Sequence, residues 1–291
     1  MKDEVFEHYR NAGSIASGIL QEGARQIRVG ASYLEVVESI EARVTEEGAA
    51  LAFPLNLSLN EDAAHDTASY GDARVFARGD VAKLDLGVHI DGYIADTATT
   101  VDLWNNSFLV DASRAALEAA IGAVLPGATA GELGKAIQHE IESRGYRPIA
   151  NLTGHGLDCY VLHRSPTIPN ISINGGVVLE EGMVFAIEPF ATTGSGHVNE
   201  KTRVEIFSQL MVKPVRIPSA RTIMEKIRDR HGLPFSRRWL GDKKLDLALP
   251  ALIRSEILHA YPVLSDVPGS LVSQHEHTVI VTADGCIVTT R

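Results

Sequence analysis

The chain has 291 residues, 45% hydrophobic and 22% charged, enough apolar material for a large core and too little polar bias for extended disorder. Its formal charge of −10 argues against non-specific nucleic-acid binding by the molecule as a whole. Cys159 and Cys286 have the spacing of neither a metal knuckle nor a disulfide scaffold and fit a reducing cytoplasm, while the absence of any run near ~18 apolar residues argues against a membrane span or signal peptide.

In chain order, apolar spacing predicts helices over 4–27 and 32–47. The second opens at Ser32, with Glu35 three residues on as in a capping box, and closes at Gly48. Next comes KLDLGVHIDGYIADTATT, residues 83–100, in which Asp91-Gly92 between β-prone flanks signals a hairpin. A two-residue loop there pairs 90 with 93 and 85 with 98, so Asp85 and Asp96 share a face as diagonal neighbours. Like charges that close need a shared proton, a cation or exposure to water; a solvated hairpin tip is the plain alternative. Helices follow over 111–123 and 129–144, then the strand-like GMVFAIEPF, TRVEIFSQLMV and EHTVIVTADGCIVTT, the last with its own Asp284-Gly285 turn.

These elements repeat. Gly30, Ala31, Glu35, Ile40 and Gly48 recur as Gly127, Ala128, Glu132, Ile137 and Gly145, each 97 residues on, and Thr129 with Glu132 repeats the capping box. RGDVAKLD, ending at Asp85, resembles EGMVFAIE, ending at Glu188, 103 residues on. Each half reads as helix, then strands, with an acid at the same place on a strand. Strands in runs with helices outside them predict an α+β fold with a curved antiparallel sheet.

Three more polar residues interrupt apolar or glycine-rich stretches: His155 in NLTGHGLDCY, Glu188 in VFAIEPF and Glu276 in SQHEHTVIV. Singly, they read as a turn histidine, a strand end before Pro189 and a solvated strand position. With Asp85 and Asp96 they make four carboxylates and one imidazole, a poor way to build a core and a good way to hold metals. Two divalent cations balance four carboxylates, leaving a bridging hydroxide as the excess anion. Oxygen-rich ligation with one histidine suits Mn, Fe, Co or Zn, and a pair of such ions about 3.5–4 Å apart points to hydrolysis.

The order Asp85, Asp96, His155, Glu188, Glu276 resembles the metal ligands of the methionine aminopeptidase, prolidase and creatinase superfamily, whose pita-bread fold has pseudo-two-fold halves. FPLNLSLNEDAAH, NLTGHG, AIEPFATTGSG, FSRRWL and QHEHTVI look like the type 2 methionine aminopeptidases. Only 84 residues precede Asp85, too few for the extra domain of prolidases, and 88 positions separate Glu188 from Glu276, as for the type 2 helical insertion, here 211–262. With no basic N-terminal extension the chain looks like the short archaeal form, and residues 1–291 read as a single catalytic domain.

The resemblance implies a cytoplasmic, monomeric enzyme that removes the initiator methionine of nascent proteins when the second residue is small and uncharged. Asp85 would hold one metal, Asp96 and Glu276 would bridge, and His155 with Glu188 would complete the second site, Glu188 also moving protons. It further implies that His163 hydrogen-bonds the scissile carbonyl, that His65 faces the scissile nitrogen, and that Phe53, Leu162 and Tyr261 line the methionine pocket. The insertion has eleven Lys and Arg against five Asp and Glu, which reads as a solvated helical face or as a contact for ribosomal RNA. A binding module that has lost catalysis is the competing class, and the intact ligand set argues against it.

Overall fold

The computed structural model describes residues 1–241 and 245–291; Asp242, Lys243 and Lys244, the end of the basic stretch, lie outside the described residues. Helix α1 (Asp3–Gln26) packs across the strands Val81–Ile90 and Tyr93–Asp102, with α2 (Tyr33–Glu46) beside it. Their apolar stripes meet the backs of those strands around Ile40, Leu57, Leu84 and Leu86. In the second half α3 (Ser107–Gly122) and α4 (Ala130–Ser143) cover the strands Val184–Ile187 and His277–Thr282 around Leu133, Ile137, Phe185 and Val279. Helix α3 starts ahead of the predicted 111 because Asp102 caps the turn before it, accepting from the Trp104 and Asn106 N–H groups at 3.0 and 2.5 Å.

The repeat is structural. Ser32 Oγ accepts from Glu35 N at 3.3 Å, and Glu132 reaches back to Thr129 N at 2.6 Å. Gly48 and Gly145 end their helices in the left-handed region, at φ +75° and +81°. Ser32 bridges Val75 where Thr129 bridges Val178.

The halves join at the centre. Ala98 and Glu276 exchange backbone hydrogen bonds of 3.3 and 3.0 Å. Thr278 Oγ1 accepts from Asp96 N at 2.8 Å and donates to Asp96 O at 2.9 Å, while Thr97 Oγ1 donates to Glu276 O at 2.9 Å. Threonine hydroxyls thus add hydrogen bonds beside the isolated Ala98–Glu276 bridge.

The predicted hairpin register holds: Ile90 pairs with Tyr93, Gly87 with Asp96 and Asp85 with Ala98, with Asp91 and Gly92 both at positive φ. The C-terminal hairpin turns one residue earlier than predicted, because Thr282 pairs with Gly285 and the loop is residues 283–284. Pairing Val279 with Val288 and Val281 with Cys286 keeps both strands' apolar side chains in one core.

Strands Asn199–Gln209 and Leu258–Ser265 pair antiparallel, and the chain between them forms α5 (Pro218–Lys226), α6 (Leu245–Arg254) and two short 3₁₀ turns around an apolar cluster of its own. Part of the basic stretch turns inward. Arg230 donates to Leu51 O at 2.9 Å and Arg238 to Glu41 at 2.7 Å, tying this segment to the first half.

Candidate metal centre

The strand register places the acids. Asp85 and Asp96 leave adjacent strands on one face. His155 stands mid-strand in Thr153–Asp158, and its flanking glycines are required by close backbone approach: a Cβ at Gly154 or Gly156 would sit 2.3 Å from Ala186 O or 2.2 Å from Ser165 O. Glu188 follows the Val184–Ile187 strand and Glu276 precedes His277–Thr282; since His277 pairs with Ile187, both acids reach the same end of the sheet.

The five side chains converge. His155 Nε2 lies 3.7 Å from Asp96 Oδ2 and 3.6 Å from Glu188 Oε1, and one ligand atom each from Asp96, His155 and Glu276 fall within 4.8 Å of one another. Burial pushes the Asp85 carboxyl up to about 7. Asp96 and Glu276 are held well above the carboxylate range by burial and by neighbouring acids, and Glu188 by burial and Asp85. Burial, with His163 nearby, takes His155 down to about 3. A neutral imidazole among carboxylates that resist ionising together is a donor set suited to a cation.

Which atoms would take a cation is visible in the hydrogen bonds. Gln274 Nε2 donates to Asp85 Oδ2 at 3.3 Å and Glu276 Oε2 at 3.2 Å. The other oxygens, Asp85 Oδ1 and Glu276 Oε1, are buried without a partner, as is Asp96 Oδ1. Buried unpaired carboxylate oxygens are costly unless a proton or cation satisfies them, so these residues fit divalent metal.

The remaining predicted residues line the same cleft. The His155 and His163 rings stand 4.4 Å apart, and burial lowers the His163 pKa. His65 sits at φ +66°, an uncommon backbone state for a side-chain-bearing residue. Its Nδ1 lies 3.3 Å from Pro262 O; a carbonyl only accepts, so Nδ1 carries the hydrogen and Nε2 is left as an acceptor. Burial lowers His65 to about 4, so it is neutral near pH 7.

Phe53, Leu162 and Tyr261 form an apolar wall. Phe53 packs on the backbone of Gly87, opposite Asp96 in the ladder, where a Cβ would come within 2.2 Å of its ring. Tyr261 Oη and Ser208 Oγ lie 3.2 Å apart.

Sequence reading missed Asn56, Ala64, Ile206 and Pro234, which also line the cleft, and Gln274 behind it. Two signals were available: Asn56 is polar in the β-prone run FPLNLSL, and Gln274 precedes Glu276 by two residues, the spacing that returns to one face of a strand. A second groove also reaches His65, His155, His163 and Glu188 and is lined by Asn151, Thr153, Arg164 and Thr167.

The sequence pattern described as Metallopeptidase family M24 matches residues 7–283. The chain belongs to this family. A curated methionine aminopeptidase of Archaeoglobus fulgidus is 50% identical over 292 residues, covering all of both chains. Among solved structures, a thermophilic Arx1 superposes with a TM-score of 0.89 at 19% identity, covering 99% of this chain and 91% of its own. A prolidase from Pyrococcus furiosus gives 0.67 at 21% identity; this chain is covered fully and spans 64% of that one. The architecture is the pita-bread fold, two αβ halves around a curved antiparallel sheet. Among the described residues no helix is long and apolar enough to cross a membrane.

Proposed function

We propose that this protein is a type 2 methionyl aminopeptidase that hydrolyses the initiator methionine from nascent proteins and peptides, preferring a small, uncharged second residue. The observation that carries the reading is the convergence of Asp85, Asp96, His155, Glu188 and Glu276, with unpaired buried oxygens, beside an apolar pocket; the full-length similarity to an archaeal methionine aminopeptidase supports it.

Asp85 would hold one metal, His155 and Glu188 the other, and Asp96 and Glu276 both. Two divalent cations, Co, Mn, Fe or Zn, would supply an acidified water and Lewis acidity. Glu188 takes the proton of the attacking water and returns it to the leaving amine, a task for a carboxylate beside the scissile bond. His163, neutral near pH 7, donates to the scissile carbonyl oxygen as negative charge develops there. His65 faces the scissile nitrogen with Nε2 free. Phe53, Leu162 and Tyr261 take the thioether, which suits apolar, adaptable walls, and the groove past Asn151 and Thr153 takes the peptide beyond the scissile bond.

In this reading residues 1–291 are one catalytic domain, 211–262 is a subdomain within it, and the protein works as a cytoplasmic monomer. Lys213, Arg216, Arg221 and Arg228 remain exposed on that subdomain for ribosomal RNA, a contact that would weaken steeply with salt.

The test is mass spectrometry of Met-Ala and Met-Lys peptides with chelator-stripped protein before and after adding metal. We expect methionine release from the first, only with metal. His163→Ala should lower kcat by ~10²–10³ at unchanged metal content. No release with Mn, Co, Fe or Zn would overturn the enzyme reading in favour of a binding module.

A further inference from the structure

One polar side chain in the cleft has no part in the chemistry above. Asn56 opens the strand Asn56–Leu59 and stands directly opposite Asp85 in the ladder, so the two side chains leave the sheet on the same face. The next residue, Leu57, enters the core of the first half, as period two requires. Asn56 is only 7% exposed.

Its amide has a definite orientation. Nδ2 lies 3.4 Å from Pro54 O, and a carbonyl oxygen can only accept, so the NH₂ end faces Pro54. Oδ1 is the opposite end, buried and without a hydrogen-bond partner. Across the ladder Asp85 Oδ1 is in the same condition. The carboxylate oxygen is accounted for by a cation; the amide oxygen, neutral beside four acids, calls for an N–H donor.

We propose that Asn56 Oδ1 accepts a hydrogen from the free α-amino group of the substrate, which makes Asn56 a specificity residue for chain ends. The assignment rests on the aminopeptidase reading. A free amine has two or three hydrogens to offer, enough to satisfy Asn56 and still meet a second acceptor. An acylated or internal nitrogen has one at most. The residue type follows from the charge nearby: an aspartate here would add a fifth carboxylate and draw a cation into the place of the amine, whereas asparagine presents an acceptor and no charge.

Two hydroxamates isolate the amino group. Methionine hydroxamate and its des-amino counterpart, 4-(methylthio)butanoyl hydroxamate, share the chelating head and the side chain. Each is titrated calorimetrically into the Mn-loaded protein, wild type, Asn56→Leu and Asn56→Ala. Wild type should bind the amino compound more tightly. Both variants should weaken that compound by about 10–100-fold, as for loss of a hydrogen bond to a charged group, and change the des-amino compound by less than about threefold. Equal binding of the two compounds by wild type, or an amine preference that survives in both variants, overturns the assignment and leaves the metal centre standing. Failure of both hydroxamates to bind Mn-loaded wild type overturns the aminopeptidase reading and the assignment with it.

Discussion

Gln274 holds one oxygen of Asp85 and one of Glu276 with a single amide nitrogen and so leaves the other oxygen of each open to a cation. Outer partners of this kind typically contribute 10–100-fold to metal affinity. Gln274→Leu keeps the volume and removes the donor, so calorimetric titration with Mn should show affinity about 10–100-fold weaker; unchanged affinity would make Gln274 a packing residue. The contrast between this residue and the acids explains what could be read in advance. Asp85, Asp96, Glu188 and Glu276 are charges in apolar strands, an anomaly visible in a string of letters. Gln274 and Asn56 are neutral amides, common in strands for many reasons, and only the positions of their unpaired and paired atoms set them apart.

At the scale of elements, the 83–100 hairpin was legible because Asp-Gly pins the loop and a period of two then determines every facing pair. The wall of the pocket was not. Ile206 and Tyr261 meet across a strand pair whose register shifts between Glu200 and Val204 and again between Val204 and Ile206, and bulges of that kind leave no local signal. One element contact is open to direct test. Gly87→Ala would put a methyl 2.2 Å from the Phe53 ring, against a backbone that cannot retreat within a paired strand. Overpacking of this kind costs about 1–3 kcal/mol, so the variant should melt lower, and displacement of Phe53 should raise KM for Met-Ala peptides more than it lowers kcat. An unchanged KM would separate Phe53 from substrate.

For the molecule as a whole, the four central acids are a burden to folding that a bound cation would remove. Metal that binds the native state alone adds RT ln(1 + [L]/Kd), ~2.7 kcal/mol at a hundredfold excess over Kd, or roughly 5–10 °C in Tm at ~2–4 °C per kcal/mol. Asp96→Asn should abolish activity, raise the melting temperature of the metal-free form by easing repulsion, and blunt the rise on adding Mn or Co. Equal metal-induced shifts in variant and wild type would mean that Asp96 touches no metal. The proposed ligands are also divided between the halves: Asp85 and Asp96 come from the first, His155, Glu188 and Glu276 from the second, and the strands carrying Ala98 and Glu276 close the gap. A cation bound there is therefore a rivet as well as a reagent. In amide hydrogen exchange, Ala98 and Glu276 should open slowly in metal-loaded protein and far faster after chelation, while Val37 and Ile137, within their own helices, hardly change. An enzyme of this plan cannot part along its midline and keep its ligands together, so damage anywhere along that seam should register as lost metal before it registers as lost fold.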